Sequence, residues 1–454
     1  MLHAVFCGRH WRLLSRAVPV TQSQQAGYFA RCESLGGELI DQTSGVTGER
    51  PPRVALRRLG VGLLIIGLCW TLAGNVGTTS LVAAKIAILD PGDKVLLYGL
   101  AAALSAIVST ISLFVWGVVS DRTRSRFGRR IPWVAFGGVG GAIGLVLMGL
   151  SPSVFTLIAS LLLYGILFSA LPAALLATFP NRVPQVKRGT LSAVYGGGQV
   201  FGGAVGVIIG SRFLGDPSPL FPVLAIVMLI GALLFVFIAP DNGNKDEVRA
   251  KLDARGLTDA IKFSSKAPDF YWAFVGRFLL LLGLYMVTTF TQYILTDYIH
   301  LSLKNTENVV AISGLASLVT IVIGSVVSGP ISDRIKRRKL PILIASALFA
   351  IGVLVPFFLP TATGMIISGA VCGLGLGAFL SVDAALLTEV LPSAATRGKD
   401  LGILNVANTV PAAVAPLAAA GIIGVGFGYG PMFLVAFVFV VVGAFSIFKI
   451  RSVR

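Results

Sequence analysis

Two ionisable side chains stand inside long apolar stretches of this sequence. Arg277 lies within FVGRFLLLLGLYMV, and Asp383 lies within GLGLGAFLSVDAALL. A charged group in hydrocarbon costs several kcal/mol, so such residues generally mark function. An aspartate can take up and release a proton, and a neighbouring arginine can hold its charged form. The two residues therefore suggest a proton-coupling pair, with a static ion pair as the alternative.

The composition identifies the environment of these residues. Of 454 residues, 55% are hydrophobic and 13% are charged, with a mean hydropathy of +0.86. A soluble domain carries about 25% charged residues, and a helix needs about 20 apolar residues to span a bilayer. The net charge of +17 lies in short loops between apolar runs, which argues against a nucleic-acid surface. We predict an all-α integral membrane protein.

Twelve apolar runs, bounded by charge, proline or glycine, predict membrane-spanning helices. Spans 1 to 6 are predicted near residues 59–83, 95–119, 132–150, 154–178, 190–211 and 219–239. Spans 7 to 12 are predicted near residues 268–295, 307–331, 340–359, 362–389, 399–423 and 429–448. On span 5, glycines recur every fourth residue, a stripe that favours close helix contact (Gly198, Gly202, Gly206 and Gly210).

The polar segments divide the chain. We expect residues 1–55 to form a disordered cytoplasmic tail, and natural translation could begin at Val46. Residues 56–239 and 268–454 are the two predicted six-helix bundles, joined by a charged cytoplasmic linker at residues 240–267.

The distribution of cationic side chains predicts the orientation in the membrane. Lysine and arginine concentrate in the loops after even-numbered spans and at the C-terminus, whereas the other loops carry Lys94, Arg212 and Lys304. Cationic loops stay on the cytoplasmic side. We therefore expect both termini in the cytoplasm and a multi-pass protein of the cell (plasma) membrane.

Short segments recur at one offset along the chain. Gly117–Asp121 (GVVSD) recurs as Gly329–Asp333 (GPISD), and Ala173–Leu176 (AALL) recurs at residues 384–387. Both pairs are separated by about 210 residues, which indicates two parallel repeats of six helices. In transporters with this arrangement, the substrate site lies near the midplane between the repeats.

The loop between spans 2 and 3 carries the most specific motif, GVVSDRTRSRFGRRIPW at residues 117–133. It resembles the loop signature of the major facilitator superfamily. Its extended form, SDR followed by SRFGRR and a proline, most resembles the glycoside-pentoside-hexuronide cation symporters and the related sucrose transporters. The resemblance covers roughly residues 55–450 and implies the twelve-helix major facilitator fold, a sugar or glycoside substrate and a coupling cation.

The resemblance also implies that this loop acts in the conformational switch. A glycine lets two helices approach closely, and an aspartate at a helix end can hold the following arginines. By resemblance, this switching role is assigned to Gly117, Asp121, Arg122, Gly128, Arg129 and Arg130. It is assigned more weakly to Gly329, Asp333, Arg334 and Arg338. Glu389 is expected to brace the basic loop of the second half. The alternative is a basic loop that sets topology without switching.

The coupling site departs from the family pattern. Melibiose-type members hold the coupling cation on carboxylates of the second and fourth helices, whereas spans 1 to 6 contain none. Arg277 and Asp383 instead lie at matching depths, roughly 13 Å and 12 Å from the cytoplasmic ends of spans 7 and 10. By resemblance these two helices line the central cavity. We therefore favour a proton over sodium as the coupling ion, with Asp383 as the titrating group.

Aromatic and uncharged polar side chains near the midplane suit a sugar, whose CH faces stack and whose hydroxyls need hydrogen bonds. Each could also serve only in helix packing. The candidates are Trp70, Asn75, Tyr164, Gln199, Tyr285, Asn405 and Asn408.

Other functions are less well supported by the sequence. The glycine-rich segments do not follow a strand, and no Walker pattern occurs, so we expect no nucleotide and no other cofactor. Cysteines and histidines show no metal-binding spacing, which argues against a membrane-embedded enzyme. The leading hypothesis is a monomeric proton-coupled sugar or glycoside symporter. An exporter or uncoupled facilitator of another small organic solute is the alternative.

Overall fold

The computed structural model describes residues 56–241, 268–335, 339–390 and 397–449, and it omits the side chains of 180, 181, 185, 186, 268, 333, 383–390 and 397–405. The helices of spans 1 to 6 are Leu56–Thr78 with Ser80–Leu89, Lys94–Arg122, Ile131–Leu150, Val154–Phe168 with Ala170–Arg182, Gln185–Ser211 and Leu220–Ile238. Those of spans 7 to 12 are Pro268–Thr289 continued to Tyr298, Leu303–Ile335, Lys339–Phe358, Ala362–Val390, Arg397–Ile422 and Tyr429–Phe448.

Within the described residues, twelve helical spans are long and apolar enough to cross a membrane. The prediction of an all-α protein with twelve membrane helices is therefore confirmed. Large apolar side chains remain exposed on the helix surfaces, among them Phe155 at 81% and Phe237 at 73%. Such side chains suit contact with lipid, because lipid tails are as apolar as the side chains themselves.

The first span is longer than predicted. We expected it to end near residue 83, but after a break at Thr79 the chain is helical again from Ser80 to Leu89. This continuation places Lys85 inside the span, where it is 5% exposed. The expectation that Arg277 and Asp383 were the two ionisable side chains within spans is therefore incomplete.

The glycine stripe of span 5 makes the predicted close helix contact, and its partner is span 1. A Cβ at Gly198 would lie 2.6 Å from the carbonyl oxygen of Leu64, and one at Gly202 would collide with the carbonyl oxygen of Leu68. Backbone contact of this kind requires residues without a side chain at the interface. The stripe therefore holds the two helices at a separation that no larger residue permits.

Successive spans run in opposite directions, so the molecule has two faces. We call the side that carries residues 122–131 the basic face, and the side that carries residues 89–94 and 298–303 the opposite face. The first half (spans 1 to 6) meets the second half (spans 7 to 12) near the opposite face. Gly99 of span 2 approaches Ala420 of span 11, and Val207 of span 5 approaches Gly314 of span 8.

The tail at residues 1–55 and most of the predicted linker, residues 242–267, lie outside the described part of the chain. The limits of the predicted domains therefore stay predictions. Of the linker, Pro240 and Asp241 are described, and both contact the first half.

Candidate functional site

A cavity of about 630 Å³ lies between the two halves, on the side of the midplane nearer to the opposite face. Spans 1, 2 and 5 line one wall, and spans 7 to 11 line the other. Pockets for small organic ligands usually measure about 300–1,000 Å³. The cavity therefore has room for a solute of the size of a mono- or disaccharide.

The cavity wall is polar in places but carries no charge among its described residues. Its polar groups are serine, threonine and tyrosine hydroxyls with two amides, Asn75 and Gln292. Several hydroxyls already donate to their own helices, as Thr78 does to the Gly74 carbonyl at 2.8 Å and Thr288 to that of Leu284 at 3.1 Å. A hydroxyl that has donated can still accept a hydrogen bond from a solute. This chemistry suits an uncharged solute with hydrogen-bonding groups.

A closing cluster joins the two halves at the opposite face, beside this cavity, and comprises Lys94, Tyr98, Phe290, Tyr293 and Asp297. The Lys94 Nζ atom lies 2.7 Å from Asp297 Oδ1, and the two side chains are 22% and 25% exposed. Lys94 also lies over the Tyr293 ring, 5.4 Å from its centroid. The ion pair links the start of span 2 to the end of span 7 across the interface.

Further contacts fix Asp297 on the side of the second half. Thr296 Oγ1 donates to Asp297 Oδ1 at 2.8 Å, and the Tyr429 hydroxyl donates to Oδ2 at 3.1 Å. A carboxylate with several donors is held more firmly than a single ion pair would hold it. Asp297 is therefore oriented within its own half before it meets Lys94.

Aromatic packing completes the closing cluster. The rings of Tyr98 and Phe290 meet edge to face with centroids 5.7 Å apart, and those of Tyr98 and Tyr293 do the same at 5.7 Å. The Tyr293 hydroxyl donates to the Ala83 carbonyl of span 1 at 2.8 Å. Tyr98 and Ala83 also line the cavity, so the cluster closes the cavity on the side of the opposite face.

The basic loop between spans 2 and 3 is held by ion pairs within the first half. The Arg130 guanidinium donates to Asp121 Oδ1 and to Ser120 Oγ, each at 2.5 Å. Arg122 is half-buried. No atom of the described residues lies within 4 Å of the position of an added Cβ at Gly117, so the close helix approach expected there is not made by the described part of the chain.

Asp241 contacts the basic loop and the end of span 4, and it lies just after the end of span 6. Gly128 has a φ of +88°, and a Cβ there would lie 2.8 Å from Asp241 Oδ2. Arg182, at the end of span 4, donates to the carbonyls of Ala239 and Pro240, and its Nε lies 3.6 Å from Asp241 Oδ1. Burial lowers the pKa of Arg182, and the Asp241 charge partly offsets this effect. The basic ends of spans 2, 4 and 6 are thus connected.

In the second half, Arg277 binds a residue that we had assigned to a different role. Its Nε donates to Asn408 Oδ1 at 2.7 Å, and its guanidinium lies 5.9 Å from the centroid of the Phe379 ring. The side chain of Asp383, its predicted partner, lies outside the described part of the chain. The structure therefore brings together a coupling candidate and a substrate candidate on spans 7 and 11.

The remaining predicted switch residues are placed as follows. A Cβ at Gly329 would make an ordinary contact of 4.0 Å with Ser381, and Arg334 is exposed. Arg338 and the side chains of Asp333 and Glu389 lie outside the described residues. Their role in switching remains a prediction.

The predicted substrate residues fall into two groups. Asn75 and Tyr285 line the cavity. Tyr164 and Trp70 instead pack against Phe168, with ring centroids 5.0 Å and 5.5 Å apart, and they are not part of the cavity wall. The Gln199 side chain is also away from the wall, and its backbone carbonyl accepts from Thr71 at 3.0 Å. The side chain of Asn405 is not described.

Several residues of the site were missed by the sequence reasoning. Lys94 was counted only for topology, and Asp297 was not considered because it lies just beyond the predicted end of span 7. Lys85 was missed although a lone lysine in the run LVAAKIAIL is a visible signal. Its Nζ donates to the carbonyls of Met148 at 2.8 Å and Gly149 at 2.5 Å, so it caps the end of span 3.

Two six-span halves that close on one face, beside a cavity at their interface, define the architecture of a secondary transporter. Comparison with known proteins leads to the same class. Residues 55–325 and 273–453 match the family model of the Major Facilitator Superfamily. The chain belongs to this superfamily. It is a multi-pass membrane transporter whose substrate is a small molecule.

Two curated relatives are multidrug-resistance proteins by name, and one of them is named as an efflux pump. The chain is 25% identical to the multi-drug resistance efflux pump PmrA of Streptococcus pneumoniae, over 74% of this chain and 81% of that protein. It is 27% identical to the multidrug resistance protein MdtG of Escherichia coli, over 57% of this chain and 61% of that protein.

Two solved structures share the fold. The nucleoside transporter NupG matches with a TM-score of 0.69 and 14% identity, over 86% of this chain and 99% of that one. A bacterial homologue of the human lysosomal transporter Spinster, in an inward-facing and unoccupied conformation, matches with a TM-score of 0.65 and 15% identity, over 86% and 96%. At these identities the likeness concerns the fold alone.

Proposed function

We propose that this protein transports an uncharged, hydroxyl-bearing organic solute of the sugar or glycoside class by alternating access. One observation carries the proposal: the cavity between the halves has hydroxyl and amide groups set among apolar side chains, with no charged side chain among its described residues. Hydroxyl and amide groups can replace the water around a neutral polar solute, whereas an ion would lose its hydration without a counter-charge. The motif of the 2–3 loop supports the same substrate class by resemblance.

The contacts between the halves support a defined state of the transport cycle. The closing cluster, the Gly99–Ala420 contact and the hydrogen bond from Arg212 to Asn308 all lie near the opposite face. With the basic face cytoplasmic, as its cationic loops favour, this state faces inward in the plasma membrane. The Spinster homologue with the same fold is also inward-facing.

Proton coupling is the second part of the proposal. Arg277 is held by Asn408 beside the cavity-lining span 7, on the basic side of the cavity. An arginine fixed in this position can stabilise an ionised Asp383, and protonation of that carboxyl would release the arginine. Within their apolar parts the first six spans offer no carboxylate for a sodium site, since Asp121, at the basic end of span 2, pairs with Arg130. Asp383 with Arg277 is therefore the proposed coupling pair.

The test is a pH recording in de-energised cells that express the protein. A panel of mono- and disaccharides is added while the external pH is followed. Proton symport predicts alkalinisation with one sugar and its loss in Asp383→Asn. Ser346→Ala, at a buried serine bonded to its own helix, serves as the control. Uptake of a labelled sugar without a pH change would contradict proton coupling.

The second candidate function is export of an amphipathic organic compound. It is supported by the names of the two curated relatives, a multidrug efflux pump and a multidrug resistance protein. Apolar side chains in the cavity wall, such as Leu284 and Met365, fit it as well. Cells that express the protein would then lose preloaded ethidium faster than control cells. Ethidium retention at the control rate, together with sugar uptake, would reject this alternative.

A further inference from the structure

Two polar atoms in the cavity wall differ from the rest. Gln292 Oε1, at the end of span 7, and Ser313 Oγ, in span 8, are inaccessible to solvent. Neither has a hydrogen-bond partner among the described residues. Both residues line the cavity between the halves.

Unpaired buried polar atoms are exceptional. The large majority of buried side-chain polar atoms in proteins find a partner, because leaving one unpaired costs the free energy of its dehydration. Other polar groups on the same wall follow this rule, since Thr288 donates to Leu284 and Ser368 to Gly352. Gln292 and Ser313 carry a cost that their neighbours avoid. A bound solute can offset this cost once either side chain turns its polar atom into the cavity that the residue already lines.

We propose that Gln292 and Ser313 form a subsite that recognises hydroxyl groups of the transported solute. The inference rests on the proposed function, because it assigns substrate contacts within the same cavity. The amide oxygen of Gln292 can only accept a hydrogen bond, whereas the Ser313 hydroxyl can donate or accept. A solute hydroxyl satisfies either atom, because it donates and accepts at once. A site with unpaired polar groups also rejects analogues that lack the hydroxyl.

The test uses the purified full-length protein in lipid nanodiscs, because glucoside and maltoside detergents carry sugar headgroups that would compete. The variants are Gln292→Leu and Ser313→Ala, with Ser346→Ala as the matched control. Ser346 is 1% exposed, its hydroxyl donates to Ile342 at 2.8 Å, and it is not part of the cavity wall. The probes are sucrose, methyl β-glucoside and uridine, with ethidium as a probe without hydroxyls.

The first measurement is thermal unfolding without any probe. Replacing an unpaired buried polar atom by an apolar group should leave the unfolding midpoint unchanged or raise it. Ser346→Ala removes a bond that is made, so it should lower the midpoint. A clear drop for both Gln292→Leu and Ser313→Ala would mean that these atoms are paired inside the protein, and would overturn the inference.

The second measurement is probe affinity by calorimetry. One of the hydroxylated probes should bind to the parent protein. In each cavity variant we expect its dissociation constant to rise about tenfold, whereas in Ser346→Ala it should not change. The proposed subsite is overturned if both cavity variants bind the probe as tightly as the parent does. It is also overturned if the parent binds ethidium but none of the hydroxylated probes. The proposed function is judged separately, by transport of labelled sugar in the parent protein. If the parent protein transports sugar and both variants keep the parent's affinity, the subsite is rejected and the proposed function stands.

Discussion

The ion pair between Lys94 and Asp297 should control access to the cavity from the opposite face. Its side chains are 22% and 25% exposed, between a surface pair and a buried one. Exposed pairs contribute about 0.2–1 kcal/mol and hydrogen bonds to charged groups about 1.5–3 kcal/mol, so we take about 1–2 kcal/mol here. Asp297→Asn or Lys94→Met breaks the pair. Either variant should lower the ratio of molecules closed at the opposite face to molecules open there by about 5- to 30-fold.

The assay uses Cys372, which lines the cavity, as the reporter. Cys7, Cys32 and Cys69 are replaced by serine, and a membrane-impermeant maleimide is applied to the opposite face. The labelling rate of Cys372 follows the fraction of molecules that are open there, so it should rise about 5- to 30-fold in either variant.

The matched control is Lys304→Met, which removes an exposed lysine on the same face. Its labelling rate should equal that of the parent. The double variant of Lys94 and Asp297 should label about as fast as either single variant, and not at the product of the two single effects, because both substitutions remove the same interaction. Rates within twofold of the parent in both single variants, with reagent access verified, would refute the role of the pair.

Three further substitutions test the packing that supports the site by thermal unfolding of the purified protein. Gly202→Ala should destabilise by about 1–3 kcal/mol because its Cβ meets the backbone of span 1. Gly197→Ala places its Cβ more than 4 Å from every described neighbouring atom and should leave the midpoint unchanged or raise it. Gly128→Ala should cost at least about 1–2 kcal/mol because of its positive φ and its contact with Asp241, and an unchanged midpoint would contradict this. Lys85→Met should cost about 1–3 kcal/mol by uncapping span 3, and an unchanged midpoint would contradict this.

The sequence was sufficient to predict the fold class and most span limits. Hydropathy determines where a helix can cross a bilayer, and the glycine stripe on span 5 predicted a close contact that the structure confirms. The predicted end of span 1 was wrong because we ended the span before Lys85. A lysine can remain inside an apolar span when carbonyls at a neighbouring helix end accept its hydrogen bonds, and periodicity does not reveal such a partner.

The site was less predictable because it depends on contacts between distant parts of the chain. Asn75 and Tyr285 were selected by depth and residue type, and both line the cavity. Trp70 and Tyr164 met the same criteria but pack on Phe168 within the first half. Depth in the membrane does not specify which way a helix faces. The Lys94–Asp297 pair joins residues 203 positions apart, a distance over which local sequence carries no signal.

Solute counterflow in proteoliposomes tests the central claim most directly. Vesicles that contain the purified protein are loaded with an unlabelled sugar and diluted into a trace of the labelled one, without an ion gradient. An alternating-access carrier predicts a transient accumulation of label that requires the protein and an internal sugar. If no sugar of a broad mono- and disaccharide panel exchanges, while the same vesicles exchange ethidium, transport of hydroxyl-bearing solutes through this cavity is contradicted.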